Sequence, residues 1–389
     1  MPVFMLVLDG LADAGWPTPL ALARKPNIDR YAFEGILGTL DIGYRGYVNS
    51  DFGYLNLLGC YSERDYPGRG YLEALGIGLD PGEEDVCIRA NWATLDKDGN
   101  LLDRRAGRET LGLEELAGEL EMEIQGVRIA AYPSAGHRVV LVLSGKGVSD
   151  QILPNDPMRT GVPVPEVRAK RPEGKKTAEV LNSFLREARK RLEGAEVNRK
   201  RRWPANCLLI RNVGRKRETE SFRERWGLKG CCVAGIPIAK GVARWLGLEV
   251  IEVPGANGMP DTNLEGKFRA VERAFKRFEL VWLHINATDI LSHDARPGLK
   301  RAYIEKVDSQ LGRLGFRGTF CLTCDHGTAS SPDFKGYRHL PDPVPWLISG
   351  GVRPDGLNSF NEREAKRGRR LKGNELMGLL VKIYKDREQ

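Results

Sequence analysis

The sequence predicts an α/β fold, in which a mostly parallel sheet flanked by helices carries a smaller inserted α/β or α+β domain. Apolar runs typical of buried strands alternate with amphipathic helical patterns in both terminal parts of the chain. Several of these runs stop at a carboxylate or an imidazole, as "VFMLVLD" does at Asp9. Because ligands of such folds bind beyond the carboxyl ends of the strands, these polar ends predict a functional site.

The predicted elements of the main domain lie near the two ends of the chain. The first strand is residues 3–9; its apolar run is short and has no basic leader, so we interpret it as a strand rather than a signal peptide. Later strands are predicted at 280–286, 319–325 and 344–350, and two of the helices at 263–278 and 300–314.

The middle of the chain has strands and a helix of its own, which predicts a second domain inserted into the first. "RVVLVLSG" and "CLLIRNVG" are strand-like, and "TAEVLNSFLREARKRLEG" has the apolar period of a helix. We place the first part of the main domain at residues 1–75, the inserted domain at 76–222 and the second part of the main domain at 223–389.

Composition and charge exclude some classes of protein. The 389 residues are 41% hydrophobic, enough for a sizeable core, but no apolar run approaches the roughly 20 residues of a membrane span. We therefore expect a cytoplasmic protein with no membrane partner. The net charge of +8 is concentrated in residues 161–220, which carry 17 Lys and Arg against 8 Asp and Glu. Such a segment could bind nucleic acid or attract an anionic substrate. Because it lacks regularly spaced aromatic residues, we expect no nucleic-acid partner; a homo-oligomer stays open.

The seven cysteines include one CxxC pair, Cys321 and Cys324. This spacing occurs in redox pairs and metal knuckles, but the chain has no second CxxC and the run is strongly apolar. We therefore expect the pair to be two small residues of a core strand.

A group of histidines and carboxylates in the last third of the chain has the spacing of metal ligands. Asp289 and His293 are four residues apart, so one helical turn would point both in the same direction. Asp325 and His326 are adjacent at a strand end, where the chain leaves the sheet and both side chains can converge on one ion.

Two further residues extend this group: His339, which precedes another strand, and Asp9, which ends the first strand. Mixed histidine and carboxylate ligands suit Mn²⁺, Zn²⁺ or Mg²⁺. Six ligands are too many for one tetrahedral site and predict two ions, about 3.5–4 Å apart. Ion pairs of this kind stabilise both oxygens of an in-line phosphoryl displacement.

Ser50, in "YVNSDFGYLNLLG", begins a predicted short helix that is closed by Gly59. A serine at this place is often the N-cap of the helix. The same place would also suit a nucleophile, because a phosphoryl group on Ser50 would face free backbone N–H groups at the positive end of the helix.

Motifs along nearly the whole chain resemble one known family. They include "LVLDG", "DRRAGR", "GHRVVLVLSG", "LHINATDILSHD" and "HLPDPVPWLISGG". The chain resembles the archaeal type of cofactor-independent (2,3-bisphosphoglycerate-independent) phosphoglycerate mutase, of the alkaline phosphatase superfamily. The resemblance implies an alkaline-phosphatase-like main domain that binds metal and an inserted domain that clamps the substrate.

The resemblance also implies an activity and its residues. The activity is the interconversion of 3-phosphoglycerate and 2-phosphoglycerate, in glycolysis and gluconeogenesis, through a phosphoserine at Ser50. Two divalent ions are implied, Mn²⁺ in the first place and otherwise Zn²⁺, Co²⁺ or Mg²⁺. The implied ligands are Asp9, Ser50, Asp325 and His326 for one ion and Asp289, His293 and His339 for the other. The implied substrate-binding residues are Arg104, Arg105, Arg108, Asp156, Arg211 and Lys240, with Asp156 orienting a hydroxyl of the substrate.

The chain departs from the family pattern at some positions. After the serine the usual run is Asp-Thr-Ala-His, whereas here it is Asp51-Phe52-Gly53-Tyr54, and Met158 stands where a histidine is usual. All the implied metal ligands are present. An alternative function is therefore a related metal-dependent phosphatase or phosphomutase that acts on another small phosphorylated acid.

Overall fold

The structure is a computed structural model that describes residues 1–42, 49–336 and 338–388. These residues form two compact units. The first unit joins Met1–Arg64 to Thr219–Gln389, and the second unit is Asp65–Glu218.

The helices and strands follow in chain order. The first unit begins with β1 (Val3–Leu8), α1 (Pro19–Leu22), α2 (Pro26–Phe33), β2 (Gly35–Asp41) and α3 (Ser50–Leu57). The second unit contains α4 (Arg69–Gly76), β3 (Val86–Leu95), β4 (Leu101–Asp103), α5 (Leu113–Gly118), β5 (Met122–Ile124), β6 (Val127–Pro133), β7 (Arg138–Ser144), β8 (Ile152–Leu153), β9 (Arg168–Ala169), α6 (Lys175–Gly194), α7 (Glu196–Lys200) and β10 (Cys207–Gly214). The first unit resumes with α8 (Phe222–Trp226), β11 (Gly230–Val233), α9 (Pro237–Trp245), β12 (Glu249–Val250), α10 (Leu264–Ala274), β13 (Leu280–Ile285), α11 (Ala287–His293), α12 (Pro297–Arg313), β14 (Thr319–Thr323), β15 (Gly327–Thr328), β16 (His339–Leu340), β17 (Val344–Ser349), α13 (Glu362–Ala365), β18 (Arg369–Lys372) and α14 (Glu375–Glu388).

The first unit is built on an eight-stranded, mostly parallel sheet, as the sequence predicts. Its strand order is β12-β11-β13-β1-β14-β17-β2-β18. β1 lies in the middle, parallel to β13 on one side and to β14 on the other, with Leu6 opposite Leu283 and Leu322. Only the pairings of β17 with β14 and with β2 are antiparallel. Every residue of β1, β13 and β14 is buried, because helices cover both faces of a parallel sheet.

The second unit has an antiparallel sheet with the order β10-β3-β7-β6-β5, and β4 pairs with β3. Its core contains Trp92 from β3 and Phe184 from the long helix α6. The predicted insertion at 76–222 leaves α4 in the main domain, whereas the structure places α4 in the second unit. Gly70 explains this, since a Cβ there would lie 2.2 Å from the backbone oxygen of Cys87 in β3, so that α4 packs directly on the second sheet.

The cysteine pair is buried, as expected for residues of a core strand, and the basic helix α6 has an exposed charged face. Cys321 is in β14, and both it and Cys324 are buried free thiols whose pKa burial raises. In α6 the charged residues pair along an exposed face, for example Arg189 with Glu193 at 2.7 Å. Among the described residues, no helix has both the length and the apolarity that crossing a membrane requires.

Candidate metal centre

The predicted metal ligands of the first unit follow the carboxyl ends of neighbouring strands. Asp9 comes directly after β1, Asp325 and His326 follow β14, and α11, which carries Asp289, follows β13. β13 and β14 flank β1 in parallel, so the three strands end at one edge of the sheet. The sheet topology therefore brings together residues that are far apart in the sequence.

Asp9, Asp325 and His326 form one potential metal-binding group, in which the ligand atoms lie within 4.8 Å of one another. Nε2 of His326 is 3.5 Å from Oδ1 of Asp9 and 3.3 Å from Oδ2 of Asp325. These two carboxylate oxygens are buried and have no hydrogen-bond partner among the described residues. Since buried carboxylates are normally compensated, two such oxygens facing one imidazole fit a bound divalent cation.

A second group contains Asp289, His326 and His339, again with ligand atoms within 4.8 Å. His293 adjoins it, with Nε2 at 3.5 Å from Oδ2 of Asp289 and at 3.0 Å from Nε2 of His339. The ring of His326 stacks on that of His339 with centroids 3.8 Å apart. His326 thus belongs to both groups, whereas the family resemblance assigns it to only one of the two ions.

The protonation of these residues is set by burial and by their neighbours. Burial, then the charges of Asp9 and Asp289, raises the pKa of Asp325 well above its usual range. Burial likewise opposes ionisation of Asp9, yet its pKa is lowered, because hydrogen bonding with His284 and the proximity of His326 favour the carboxylate. Burial, together with the nearby His339, lowers the pKa of His326 to about 4, so its imidazole is neutral near pH 7, as a metal ligand must be.

The hydroxyl of Ser50 lies beside this group, with Oγ 3.3 Å from Nε2 of His326. α3 begins at Ser50, and its N-cap is Asn49, which makes no side-chain capping hydrogen bond. The N-cap interpretation of Ser50 is therefore wrong. The close approach depends on Gly53, because a Cβ there would lie 2.6 Å from Cβ of Asp325.

Further residues of this centre were not predicted from the sequence. Tyr54 donates a hydrogen bond to Oδ2 of Asp9, and Nε2 of His284 lies 3.2 Å from the same oxygen. Thr328 donates to Oδ1 of Asp289 at 2.8 Å. Lys300, fully buried, donates to the carbonyls of Gly10, Ala12 and Thr328. Some of these residues could have been found in the sequence as a charged or polar residue within an apolar run, as His284 is in β13.

In the second unit, Asp156 organises two of the predicted substrate-binding arginines. Arg104 donates to both of its carboxylate oxygens, at 2.9 and 2.7 Å, and Nε of Arg211 lies 3.5 Å from Oδ2. The backbone N–H of Met158 donates to Oδ1 at 2.9 Å, and the Met158 sulfur lies 2.8 Å from Nη2 of Arg104. The observed contacts of Asp156 thus hold two guanidiniums, and its predicted role toward a substrate hydroxyl stays a prediction.

More arginines surround His137 in the second unit. Burial, followed by the charges of Arg138, Arg89, Arg105 and Arg108, lowers the pKa of His137 to about 2. Two of these, Arg105 and Arg108, were predicted as substrate ligands. Arg89 and Arg138 were not, although an arginine inside the apolar run of β3 is an unusual feature that points to Arg89.

Lys240, the remaining predicted substrate ligand, belongs to α9 of the first unit. Its ammonium group forms an ion pair with Glu252. A role toward substrate would require this lysine to share or exchange its partner, so its role also stays a prediction.

Comparison with known proteins identifies relatives along the whole chain. A family profile described as 2,3-bisphosphoglycerate-independent phosphoglycerate mutase matches residues 32–198. A 2,3-bisphosphoglycerate-independent phosphoglycerate mutase of Methanocaldococcus jannaschii is 38% identical over 97% of this chain and 96% of its own. The corresponding protein of Thermococcus kodakarensis is 37% identical, over 99% and 98%.

The chain is also similar to solved structures over nearly its whole length. The cofactor-independent phosphoglycerate mutase of Thermoplasma acidophilum is 34% identical, covers 99% of this chain and 100% of its own, and has a TM-score of 0.66. A protein of Pyrococcus horikoshii is 30% identical over 99% and 97%, with a TM-score of 0.81.

Proposed function

The chain belongs to the 2,3-bisphosphoglycerate-independent phosphoglycerate mutase family, and we propose that Ser50 is the nucleophile with which it does the family's chemistry. The enzyme is an isomerase that interconverts 3-phosphoglycerate and 2-phosphoglycerate. The observation that supports Ser50 is its place, 3.3 Å from His326 and beside two buried carboxylate oxygens without a hydrogen-bond partner among the described residues.

The residues of the first unit would hold two divalent ions, for which we propose Mn²⁺ first and Zn²⁺, Co²⁺ or Mg²⁺ as alternatives. The proposed ligands are Asp9, Ser50, Asp325 and His326 for one ion and Asp289, His293 and His339 for the other. When bound, such ions supply positive charge to the phosphoryl oxygens and favour the ionised form of a hydroxyl nucleophile. Because His326 lies in both geometric groups, we propose that its replacement would affect both ions.

The proposed reaction has two phosphoryl transfers. In the first, Oγ of Ser50 forms a bond to phosphorus while the bond between phosphorus and the glycerate oxygen breaks, which leaves a phosphoserine and glycerate. In the second, the other hydroxyl of the glycerate attacks the phosphoserine and the Ser50 oxygen leaves. Throughout, the phosphoryl group stays at the start of α3, where backbone N–H groups favour its negative charge.

The arginines of the second unit would bind the anionic groups of the substrate. The buried carboxylate of Asp156 contacts both Arg104 and Arg211, so their guanidinium groups have a fixed orientation even without substrate. Guanidinium forks suit both carboxylate and phosphate. We propose that Arg105 and Arg108 also bind the substrate. Together these arginines would retain the glycerate long enough for it to accept the phosphoryl group again.

The substrate is a small phosphorylated acid, and we propose a cytoplasmic role in glycolysis and gluconeogenesis without nucleic-acid or membrane partners. A homo-oligomer stays open. The second candidate function, a phosphatase or phosphomutase for another small phosphorylated acid, is favoured by Met158, which places a thioether on Arg104 where the family usually has a histidine.

One assay tests the proposal. The chelated protein is incubated with 3-phosphoglycerate with and without added Mn²⁺, and ³¹P NMR follows 2-phosphoglycerate and inorganic phosphate. We expect Mn²⁺-dependent formation of 2-phosphoglycerate with little free phosphate. Release of phosphate in amounts equal to the substrate consumed would instead support the phosphatase. No reaction with Mn²⁺, Zn²⁺, Co²⁺ or Mg²⁺ would exclude both candidate activities on this substrate.

A further inference from the structure

Tyr54 lies one helical turn after Ser50 in α3, and its side chain is fully buried. Its hydroxyl donates a hydrogen bond to Oδ2 of Asp9 and lies 2.8 Å from Nε2 of His284. That nitrogen is itself 3.2 Å from the same carboxylate oxygen. Two buried polar groups, the Tyr54 hydroxyl and the His284 imidazole, therefore meet at Oδ2 of Asp9.

The two oxygens of Asp9 have different surroundings. The phenol O–H donates to Oδ2, so the hydrogen that His284 shares with the phenol or the carboxylate must sit on Nε2. Oδ1, in contrast, has no hydrogen-bond partner among the residues that the structure describes, and it lies 3.5 Å from Nε2 of His326. One oxygen is thus held by protein donors while the other faces the candidate metal ligands.

We infer that Tyr54 is a positioning residue, which together with His284 holds Oδ2 of Asp9 and thereby presents Oδ1 to a divalent ion. This inference rests on the proposed function, in which Asp9 is a metal ligand. Hydrogen bonds behind a ligand fix its orientation, and their removal typically lowers metal affinity by about 10- to 100-fold.

The packing of Tyr54 also bears on the position of Ser50 in α3. Its ring packs against those of Trp282 and His284, with centroids 5.5 and 5.0 Å away. Since Ser50 is on the same helix, the bond from Tyr54 to Asp9 ties the start of α3 to the end of β1. The position of the proposed nucleophile is therefore linked to that of a proposed metal ligand.

The competing explanation is that Tyr54 is only a core aromatic residue whose hydroxyl happens to find an acceptor. Removal of its hydroxyl would then alter stability and leave ion affinity unchanged. Tyr303 offers a matched control, because it is 6% exposed and its buried hydroxyl has no hydrogen-bond partner among the described residues.

The test is a Mn²⁺ titration of the full chain, with free Mn²⁺ measured by electron paramagnetic resonance. We expect Tyr54→Phe to raise the Kd of the weakened site about 10- to 100-fold and Tyr303→Phe to leave every Kd unchanged. Mutase activity of Tyr54→Phe should fall at limiting Mn²⁺ and recover at saturating Mn²⁺. An unchanged Kd in Tyr54→Phe, or an equal change in Tyr303→Phe, would overturn the inference without affecting the proposed function. Absence of Mn²⁺ binding by the unaltered protein would overturn this inference as stated for Mn²⁺. Binding of none of Mn²⁺, Zn²⁺, Co²⁺ and Mg²⁺ would overturn the proposed metal-dependent function as well.

A second measurement keeps the hydroxyl group of the residue, in case Tyr54→Phe does not fold. Difluorotyrosine is placed at position 54 or, as the control, at position 303, and ¹⁹F NMR follows the addition of diamagnetic Zn²⁺. We expect the resonance at position 54 to shift and the resonance at position 303 to stay. No shift at position 54, or equal shifts at the two positions, would contradict a role of Tyr54 behind the metal site.

Discussion

The hydroxyl oxygen of Ser50 and Nε2 of His326 lie 3.3 Å apart, although the two residues are 276 positions apart in the sequence. α3 places Ser50 at the edge of the sheet where β14 ends, and His326 follows shortly after that strand. Since Asn49 occupies the N-cap position, the Ser50 hydroxyl is not committed to capping the helix. The hydroxyl is therefore available for the proposed catalytic role, and its removal should not weaken the helix.

Replacement of Ser50 by alanine should abolish phosphoryl transfer without unfolding the protein. We expect kcat to fall by roughly three orders of magnitude or more, because the attacking oxygen is lost. The free energy of unfolding should change by less than about 1 kcal/mol, because no helix cap is removed. The checks are the ³¹P assay and urea unfolding.

Ser221→Ala is the matched control for that variant. Ser221 is a true N-cap in a capping box with Glu224, so its loss should cost about 0.5–2 kcal/mol of stability and leave turnover unchanged. Near-normal turnover in Ser50→Ala would remove Ser50 from the mechanism.

Replacement of Asp156 by asparagine should weaken substrate binding more than turnover. The neutral amide cannot hold Arg104 and Arg211 as the carboxylate does, so both guanidiniums lose their fixed orientation. We expect KM for 3-phosphoglycerate to rise about 10- to 100-fold, since hydrogen bonds to charged groups contribute about 1.5–3 kcal/mol. Steady-state kinetics would check this. Glu166→Gln breaks an exposed ion pair with Arg186 and should leave KM unchanged. An unchanged KM in Asp156→Asn would show that substrate binding does not depend on the orientation that Asp156 gives the two arginines.

His137 should make the protein less stable as the pH falls. Burial and the surrounding arginines lower its pKa in the folded state to about 2, whereas an unfolded histidine titrates near 6.5. Below about pH 6.5 the unfolded chain therefore binds a proton that the folded chain does not, and stability falls by up to about 1.4 kcal/mol per pH unit toward pH 2. Above pH 6.5 both states are neutral at this residue, and its contribution is constant.

His137→Gln removes that titration. Urea unfolding at pH 7, 6 and 5 should show a shallower loss of stability in the variant than in the unaltered protein. Equal slopes for the two proteins would mean that His137 becomes protonated in the folded state over this range.

Gly53→Ala should destabilise the protein, although alanine is normally the better helix residue. A Cβ at this position would lie 2.6 Å from Cβ and 2.7 Å from the carbonyl oxygen of Asp325, so α3 would have to move away. Overpacking of this kind costs about 1–3 kcal/mol. Gly298→Ala in α12 meets no atom within 4 Å and should gain up to about 1 kcal/mol from helix propensity. Urea midpoints of the two variants should move in opposite directions, and a shared increase would contradict the predicted clash.

Local sequence patterns predicted much of the fold and brought out the residues of the candidate metal centre. β1, β13, β14 and β17 lie within one or two residues of the strands predicted from apolar runs. Asp289 and His293 share a face of α11 because a helix repeats every 3.6 residues, which depends only on local geometry. In each case the signal lies within a short window of the sequence.

Other features had no local signal. Tyr54 reads as a core aromatic residue, and only the approach of α3 to β1 reveals that its hydroxyl meets Asp9. The boundary of the second unit was misplaced because the composition of α4 does not indicate which sheet it packs on; the contact of Gly70 with Cys87 decides that. The contact of Asp156 with two arginines likewise depends on the pairing of distant strands.

By itself, the sequence determined the α/β class, the inserted second unit and the family, and it predicted the candidate metal ligands. These follow from periodicity, from residue chemistry and from motif order, all of which can be read along the chain. Only the tertiary structure decided that His326 belongs to both candidate ligand groups. It also decided that one oxygen of Asp9 accepts a hydrogen bond from Tyr54 while the other, although buried, faces the candidate ligands. The physical reason is that ligand geometry depends on distances of a few ångströms between residues hundreds of positions apart, and strand pairing and helix packing alone set those distances.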